Sequence, residues 1–167
     1  MTKALLLFAF LSLSLFAEES MQSFPFFGLT GTYSKLDFDK TKHSKNAEQG
    51  FGGLRYGKQT LDWRTMFTLS GNDNIQDFSM EIDKILLDDI FGYPQVRPYL
   101  GANIGFIHDK DKHLDTNNGY YFGGAFGFLV YITDNIDMDI SYHYDAIKDI
   151  DAFDTMRGGS FALHYFY

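Results

Sequence analysis

The 167-residue chain contains no cysteine and only 3 prolines, and its 14 Lys and Arg are outnumbered by 22 Asp and Glu. Each shortage excludes something. Without cysteine no disulfide staples the fold, so in an oxidising compartment closure and packing must hold it together. A net charge of −8 leaves no basic surface for nucleic acid, whose phosphates demand one. Long apolar runs are missing too, with one exception. Ala4 to Phe16 (ALLLFAFLSLSLF) is thirteen residues long, short of the about 20 that a spanning helix needs.

That exception has the layout of an export signal. Lys3 precedes the run, and Ala17 and the polar Glu18-Glu19-Ser20 follow it. The expectation is a cleaved signal over residues 1–17 and one domain over 18–167, although Leu15 departs from the small residue usual near such a cut. An exported chain without a spanning helix is periplasmic, secreted or an outer-membrane barrel.

Aromatic side chains, by contrast, are abundant: 18 Phe and 11 Tyr bring the aromatic share to 18%. Glycine is also frequent, at 16 residues. A mean hydropathy of −0.20 suits a chain in which only every second residue of a strand meets lipid.

The deciding signal is alternation, the period of a strand with unlike faces. Phe27, Leu29, Gly31 and Tyr33 alternate with Gly28, Thr30, Thr32 and Ser34. The same parity recurs through Leu54 and Tyr56, through Trp63 to Leu69, and through Phe78, Met80 and Ile82. It continues in Leu100 to Phe106, Tyr120 to Val130 and Ile136 to Tyr142, and ends in Phe161 to Tyr167. These segments make eight strands in four hairpins. Three polar loops, 39–50, 109–118 and 145–155, contrast with tight connections such as Thr133-Asp134-Asn135. Long loops on one side and short turns on the other are a property of bacterial barrels. Only the linker 86–95 breaks the rule, as an extension of strand four or a short helix.

A soluble sandwich or lipocalin-like barrel would alternate as well, with its aromatic face inward. Bulk argues against it. The lumen of an eight-stranded barrel is just wide enough for side chains and is expected to take the Gly, Ala and Ser face rather than so many aromatics. The fold class expected is therefore all-β: an eight-stranded antiparallel up-and-down transmembrane β-barrel.

The last strand sets Phe161, Leu163, Tyr165 and Tyr167 at alternate positions. With Gly52-Gly53-Leu54-Arg55-Tyr56-Gly57 and Arg97-Pro98-Tyr99-Leu100-Gly101-Ala102, this resembles the OmpA/OmpX-type family of small outer-membrane β-barrel proteins over nearly all of residues 24–167. The resemblance implies residence in the cell outer membrane of a Gram-negative bacterium. It also implies that the C-terminal strand is the signal read by the barrel assembly machinery. Tyr167 stands where the family usually ends in Phe. Such motifs identify architecture, not activity.

The inward parity collects Arg55, Arg64, Glu81, Asp83, Arg97, Asp137, Asp139 and His143. Buried charges persist when paired and hydrogen-bonded, so these residues are expected to form a polar plug. A narrow ion path or porin-like channel through them is the alternative. Small barrels that modify lipid A use a hydroxyl nucleophile with a His base, but Ser141-Tyr142-His143 lacks the His-x-Ser order of the deacylases, and no enzyme activity is expected. Asp145, Asp149, Asp151 and Asp154 read as a solvated outer loop rather than a calcium site, since the Gly turn of a calcium loop is missing. Gly123-Gly124-Ala125-Phe126-Gly127 matches no phosphate loop. No catalytic, cofactor or metal residue is therefore assigned.

Lys35 and Arg157, at the outer ends of strands that meet on closure, are expected to face lipopolysaccharide phosphates through charge-assisted bonds. The role expected is that of a monomeric structural or interaction protein, with outer-membrane lipid and lipopolysaccharide as partners. Its contribution would be outer-membrane integrity or surface contact through the loops.

Overall fold

The computed structural model describes residues 22–37, 47–86, 95–110, 118–149 and 154–167. The expected signal segment, most of the 86–95 linker and the centres of the three polar loops lie outside the described residues.

Eight strands follow in chain order: β1 (Phe24–Asp37), β2 (Ala47–Gln59), β3 (Trp63–Gly71), β4 (Ile75–Ile85), β5 (Val96–Asp109), β6 (Asn118–Thr133), β7 (Ile136–Lys148) and β8 (Thr155–Phe166). Each pairs antiparallel with the next, and β8 returns to β1 to close the barrel. The seam is continuous, from Phe26 opposite Phe166 to Asp37 opposite Thr155. Closure leaves no strand edge, so the ladder satisfies the backbone donors and acceptors without water.

The alternation reads out as expected. Phe27, Leu29, Leu54, Tyr56, Leu69, Ile104, Phe126, Ile140 and Phe161 point outward and are exposed. Thr30, Ser34, Arg55, Arg64, Asp83, Asp139 and Ser160 point inward and are buried. Strand ends are longer than the hydropathy pattern suggested. β2 begins inside the expected 39–50 loop, and β7 runs to Lys148, which carries Asp145 out of the expected loop and into the barrel wall. Two turns have side-chain locks. Asn72 Oδ1 accepts the N–H groups of Asn74 and Ile75 at 2.9 and 2.8 Å, closing β3–β4. Across β2–β3, Thr60 Oγ1 accepts the Trp63 N–H at 3.1 Å.

Most aromatics point outward as expected, but the lumen takes more than its Gly, Ala and Ser face suggested. Phe26, Phe51, Tyr99, Tyr121 and Phe166 are all buried inside. Three of the five, Phe26, Tyr99 and Tyr121, and the His164 ring fit because a glycine stands opposite each across the ladder. Phe26 faces Gly57, Tyr99 faces Gly127, Tyr121 faces Gly105, and His164 faces Gly28. A Cβ on Gly127 would lie 2.7 Å from Tyr99 Cε1, and one on Gly57 would lie 2.7 Å from Phe26 Cζ. Cross-strand partners have Cβ atoms only about 5 Å apart, so a partner without a side chain leaves a large one room in the lumen.

Candidate functional site: the filled lumen

Three layers fill the interior. At the loop end, where β1–β2, β3–β4, β5–β6 and β7–β8 connect, Leu36, Phe51, Ile75, Ile107, Tyr121, Ile147 and Met156 form an apolar lid. At the end that carries both termini of the barrel, Phe26, Met66 and Phe166 form one cluster, and Ile85, Tyr99 and Leu129 form another. Charge lies between.

The centre of that charge is Arg64. Its side chain is 0% exposed, with Nε 2.7 Å from Asp83 Oδ2 and Nη2 2.9 Å from Asp139 Oδ2. Arg55 reaches the same Asp139 oxygen at 3.0 Å and donates to Ser160 Oγ at 3.3 Å. The Tyr99 hydroxyl donates to the other Asp139 oxygen at 2.8 Å, and its ring lies 4.6 Å from the Arg64 guanidinium carbon. Ser160 and Ser141 hydroxyls meet at 2.7 Å. Asp139 on β7 thus collects donors from β2, β3 and β5, and so ties opposite walls together across the lumen. Several kcal/mol of desolvation per ion is repaid only when such pairing is dense.

Not every expected member joins this network. Asp137 turns toward the terminal end and pairs with His164 Nδ1 at 2.8 Å, both fully buried. His164 packs on Phe26, ring centroids 4.7 Å apart. Arg97 lies lower still, its guanidinium carbon 5.5 Å from the Tyr131 ring, beside Gln59, which donates to the Tyr131 hydroxyl at 2.8 Å. His143 sits toward the loop end, where Nε2 is 3.1 Å from Ser34 Oγ. Glu81 is opposite Asn103 on the ladder and lines a cavity above Arg55.

Sequence reasoning missed four participants: Tyr99, His164, Asp77 and Asp145. Asp77 accepts from the Tyr121 hydroxyl at 2.7 Å and from Ser70 at 3.0 Å. Asp145 is only 1% exposed, which overturns its reading as part of a solvated loop. All four carry inward parity, and Tyr99, His164 and Asp145 each face a glycine across the ladder. That parity was the available signal.

The seam cations are register partners, Lys35 opposite Arg157. Arg157 is largely exposed, and its Nη2 lies 3.2 Å from Asp37 Oδ2. Lys35 is also opposite Glu48, which accepts the Tyr33 hydroxyl at 2.6 Å. Acids therefore already share this rim. On the opposite rim Lys84 pairs with Asp62 at 2.9 Å and lies 5.0 Å from the centre of the Trp63 ring. The alternate C-terminal residues Phe161, Leu163, Tyr165 and Tyr167 all point outward, and Phe27 of β1 contacts both tyrosines.

No protein-family model matches the chain. A search of curated proteins finds no match either. Among solved structures the fold is similar to Neisserial surface protein A (NspA), with 14% identity, 86% of this chain and 97% of that chain covered, and a TM-score of 0.67. It is also similar to outer membrane protein H (OprH) from P. aeruginosa, with 20% identity, coverage of 86% and 99%, and a TM-score of 0.58. A third similar structure is Ail, the attachment invasion locus protein of Yersinia pestis, with 13% identity, coverage of 88% and 100%, and a TM-score of 0.51. At these identities the likeness establishes the fold: a small, closed outer-membrane-type barrel.

Proposed function

We propose that the protein is an outer-membrane β-barrel with a sealed lumen, acting in outer-membrane integrity or in surface contact through the loop end. The observation that carries this reading is its inside-out construction. Apolar residues cover the outside of every strand, while an arginine that is 0% exposed sits inside among carboxylates. Water would not tolerate the outer face as a free surface, because monomers rarely expose contiguous apolar patches beyond a few hundred Å². Lipid requires that face.

Aromatic residues at the two rims, Tyr33 and Tyr120 at one and Trp63 and Tyr165 at the other, suit membrane–water interfaces. Export through the N-terminal signal and insertion by the barrel assembly machinery at the C-terminal strand complete the proposed route. Lipopolysaccharide phosphates are the partner proposed for Lys35 and Arg157, with Asp37 holding Arg157 until they arrive. NspA and Ail, by name a surface protein and an attachment invasion locus protein, agree with a role in contact.

The structure favours a plug over a pore, since both lids and the Arg64 cluster lie across the axis. Ser141 and His143 bond to Ser160 and Ser34 inside the lumen, away from the lipid where an acyl substrate would lie. We assign them no catalytic role. Two experiments test the reading. Boiling is expected to change the gel mobility of the outer-membrane fraction, and planar bilayers are expected to show no single-channel steps. Unchanged mobility would overturn the barrel; regular conductance steps would overturn the seal.

A further inference from the structure

The outer wall of the barrel is not evenly covered. A groove of about 350 Å³ crosses it from β1 to β4, lined by Phe27, Leu54, Tyr56, Phe67, Leu69 and Phe78. Leu54 and Leu69 are register partners, and so are Tyr56 and Phe67. Ring contacts fix both walls. On one side Phe27 packs on the C-terminal tyrosines, with ring centroids 5.6 Å from Tyr165 and 6.4 Å from Tyr167. On the other, Phe67 and Phe78 stack at 6.2 Å with their planes 9° apart. The floor between them comes from Gly28 and from Arg55, whose side chain turns into the lumen.

Charge at one end of the groove selects its occupant. Lys58 lies on the same face of β2, two residues beyond Tyr56 toward the end that carries the termini, and is exposed. At about 3.3 Å per residue, Lys58 and Leu54 are about 13 Å apart along the strand. That is most of the about 15 Å of acyl depth in one leaflet, half of a hydrocarbon core of about 30 Å. Lys84, on the same rim, is held by Asp62 and the Trp63 ring, whereas among the described residues no acid pairs with Lys58. Thr65, opposite Lys58 on the ladder, sets a hydroxyl beside it. An apolar trough that ends on an ammonium and a hydroxyl is complementary to a hydrocarbon chain with a phosphate at its head.

We propose that this groove binds one glycerophospholipid from the leaflet on the terminal side, with an acyl chain along Leu54 and Tyr56 and its phosphate accepting from Lys58 and Thr65. Such hydrogen bonds are charge-assisted and stronger than neutral ones. Because the rings are already fixed by their own contacts, little ordering is needed when the chain enters. Lipopolysaccharide is not the occupant, since the charged end of the groove points away from Lys35 and Arg157 at the loop end. The inference rests on the reading that the outer belt meets lipid, and adds to it one lipid held apart from the bulk.

Native mass spectrometry of the full barrel, released from dodecyl maltoside micelles doped with dioleoyl phosphatidylglycerol, tests it. One lipid per barrel is expected to survive conditions that strip the detergent. Lys58→Gln is expected to lower its affinity about fivefold, the worth of one lysine near an anionic surface. Leu54→Trp, which fills the groove, is expected to abolish retention. Lys35→Gln at the loop end and Phe126→Trp on the opposite wall are expected to bind as the wild type does. Unchanged affinity in Lys58→Gln, or full retention in Leu54→Trp, would mean that lipid adheres elsewhere on the belt, and either result overturns the proposal. Loss of all lipid from the wild type overturns it too. None of these outcomes touches the barrel itself, whose own test is the change in gel mobility on boiling. Leu54 and Lys58 both point outward, so the variants are expected to fold; if Leu54→Trp does not, equal affinities in Lys58→Gln and Lys35→Gln reject the site.

Discussion

Arg64 and Asp83 stand directly opposite one another on β3 and β4, both at 0% exposure, with Nε and Oδ2 2.7 Å apart. Arg64 also holds Asp139, so the two partners are not equivalent. Removing one member of a buried pair strands the other, at about 3–5 kcal/mol. Arg64→Met strands Asp83, takes one of two arginines from Asp139, and is expected to lose the full amount. Asp83→Asn leaves Arg64 with Asp139 and is expected to lose less, and Arg64→Met/Asp83→Leu should recover part of the loss. Urea unfolding in lipid vesicles checks the ranking; a Asp83→Asn loss equal to that of Arg64→Met would break it.

The glycines opposite large inward residues are expected to be intolerant. Gly105→Leu would drive a side chain into the Tyr121 ring, and Gly101→Val into the Asp83 carboxylate. Overpacking of this kind costs about 1–3 kcal/mol. Gly31 points outward and a Cβ there meets nothing within 4 Å, so Gly31→Leu should fold as the wild type does. The folded fraction on unboiled gels separates the two groups. Equal folding of Gly105→Leu and Gly31→Leu would contradict the packing described.

Charge placed on the lipid face should cost according to depth. Phe126 lies mid-strand on β6, exposed, with its ring 5.7 Å from that of Tyr142. Phe126→Arg is expected to destabilise the barrel in vesicles by about 2–4 kcal/mol, whereas Tyr120→Arg near the loop rim should cost about 0–1 kcal/mol. Equal costs at the two sites would count against a membrane around this belt.

At the seam, Arg157 has Asp37 as an alternative to phosphate. Lys35→Gln/Arg157→Gln is expected to lower lipopolysaccharide co-purification, and Asp37→Asn is expected to raise it by freeing Arg157. Unchanged lipopolysaccharide in the double variant would reject that contact.

Much of the barrel was legible in the sequence because a strand in lipid must alternate. Phe27 to Tyr33 and Phe161 to Tyr167 show this in full, and the eight strands followed from it. What alternation does not carry is register. That Tyr99 faces Gly127, or His164 faces Gly28, follows only once the strands are aligned. Without those pairs the lumen reads as too narrow for rings, so the apolar lids were missed. Asp145 was misplaced for a related reason: three further aspartates follow it before Thr155, and local polarity resembles a loop even where the strand continues to Lys148. Alternation also does not carry how the inward charges divide along the lumen. Arg97 and Asp137 lie toward one end and His143 toward the other, because strand tilt and side-chain reach decide who meets whom.

The central claim is that one face of each strand meets lipid and the other a filled lumen. Nitroxide scanning along β6 in lipid vesicles tests it most directly, with single cysteines at consecutive positions from Tyr121 to Leu129 in a chain that has none of its own. Oxygen accessibility is expected to alternate with a period of two, high at Phe122, Gly124, Phe126 and Phe128 and low at Tyr121, Ala125 and Leu129. A flat profile, or high accessibility of the inward positions to a water-soluble quencher, would contradict the sealed membrane barrel.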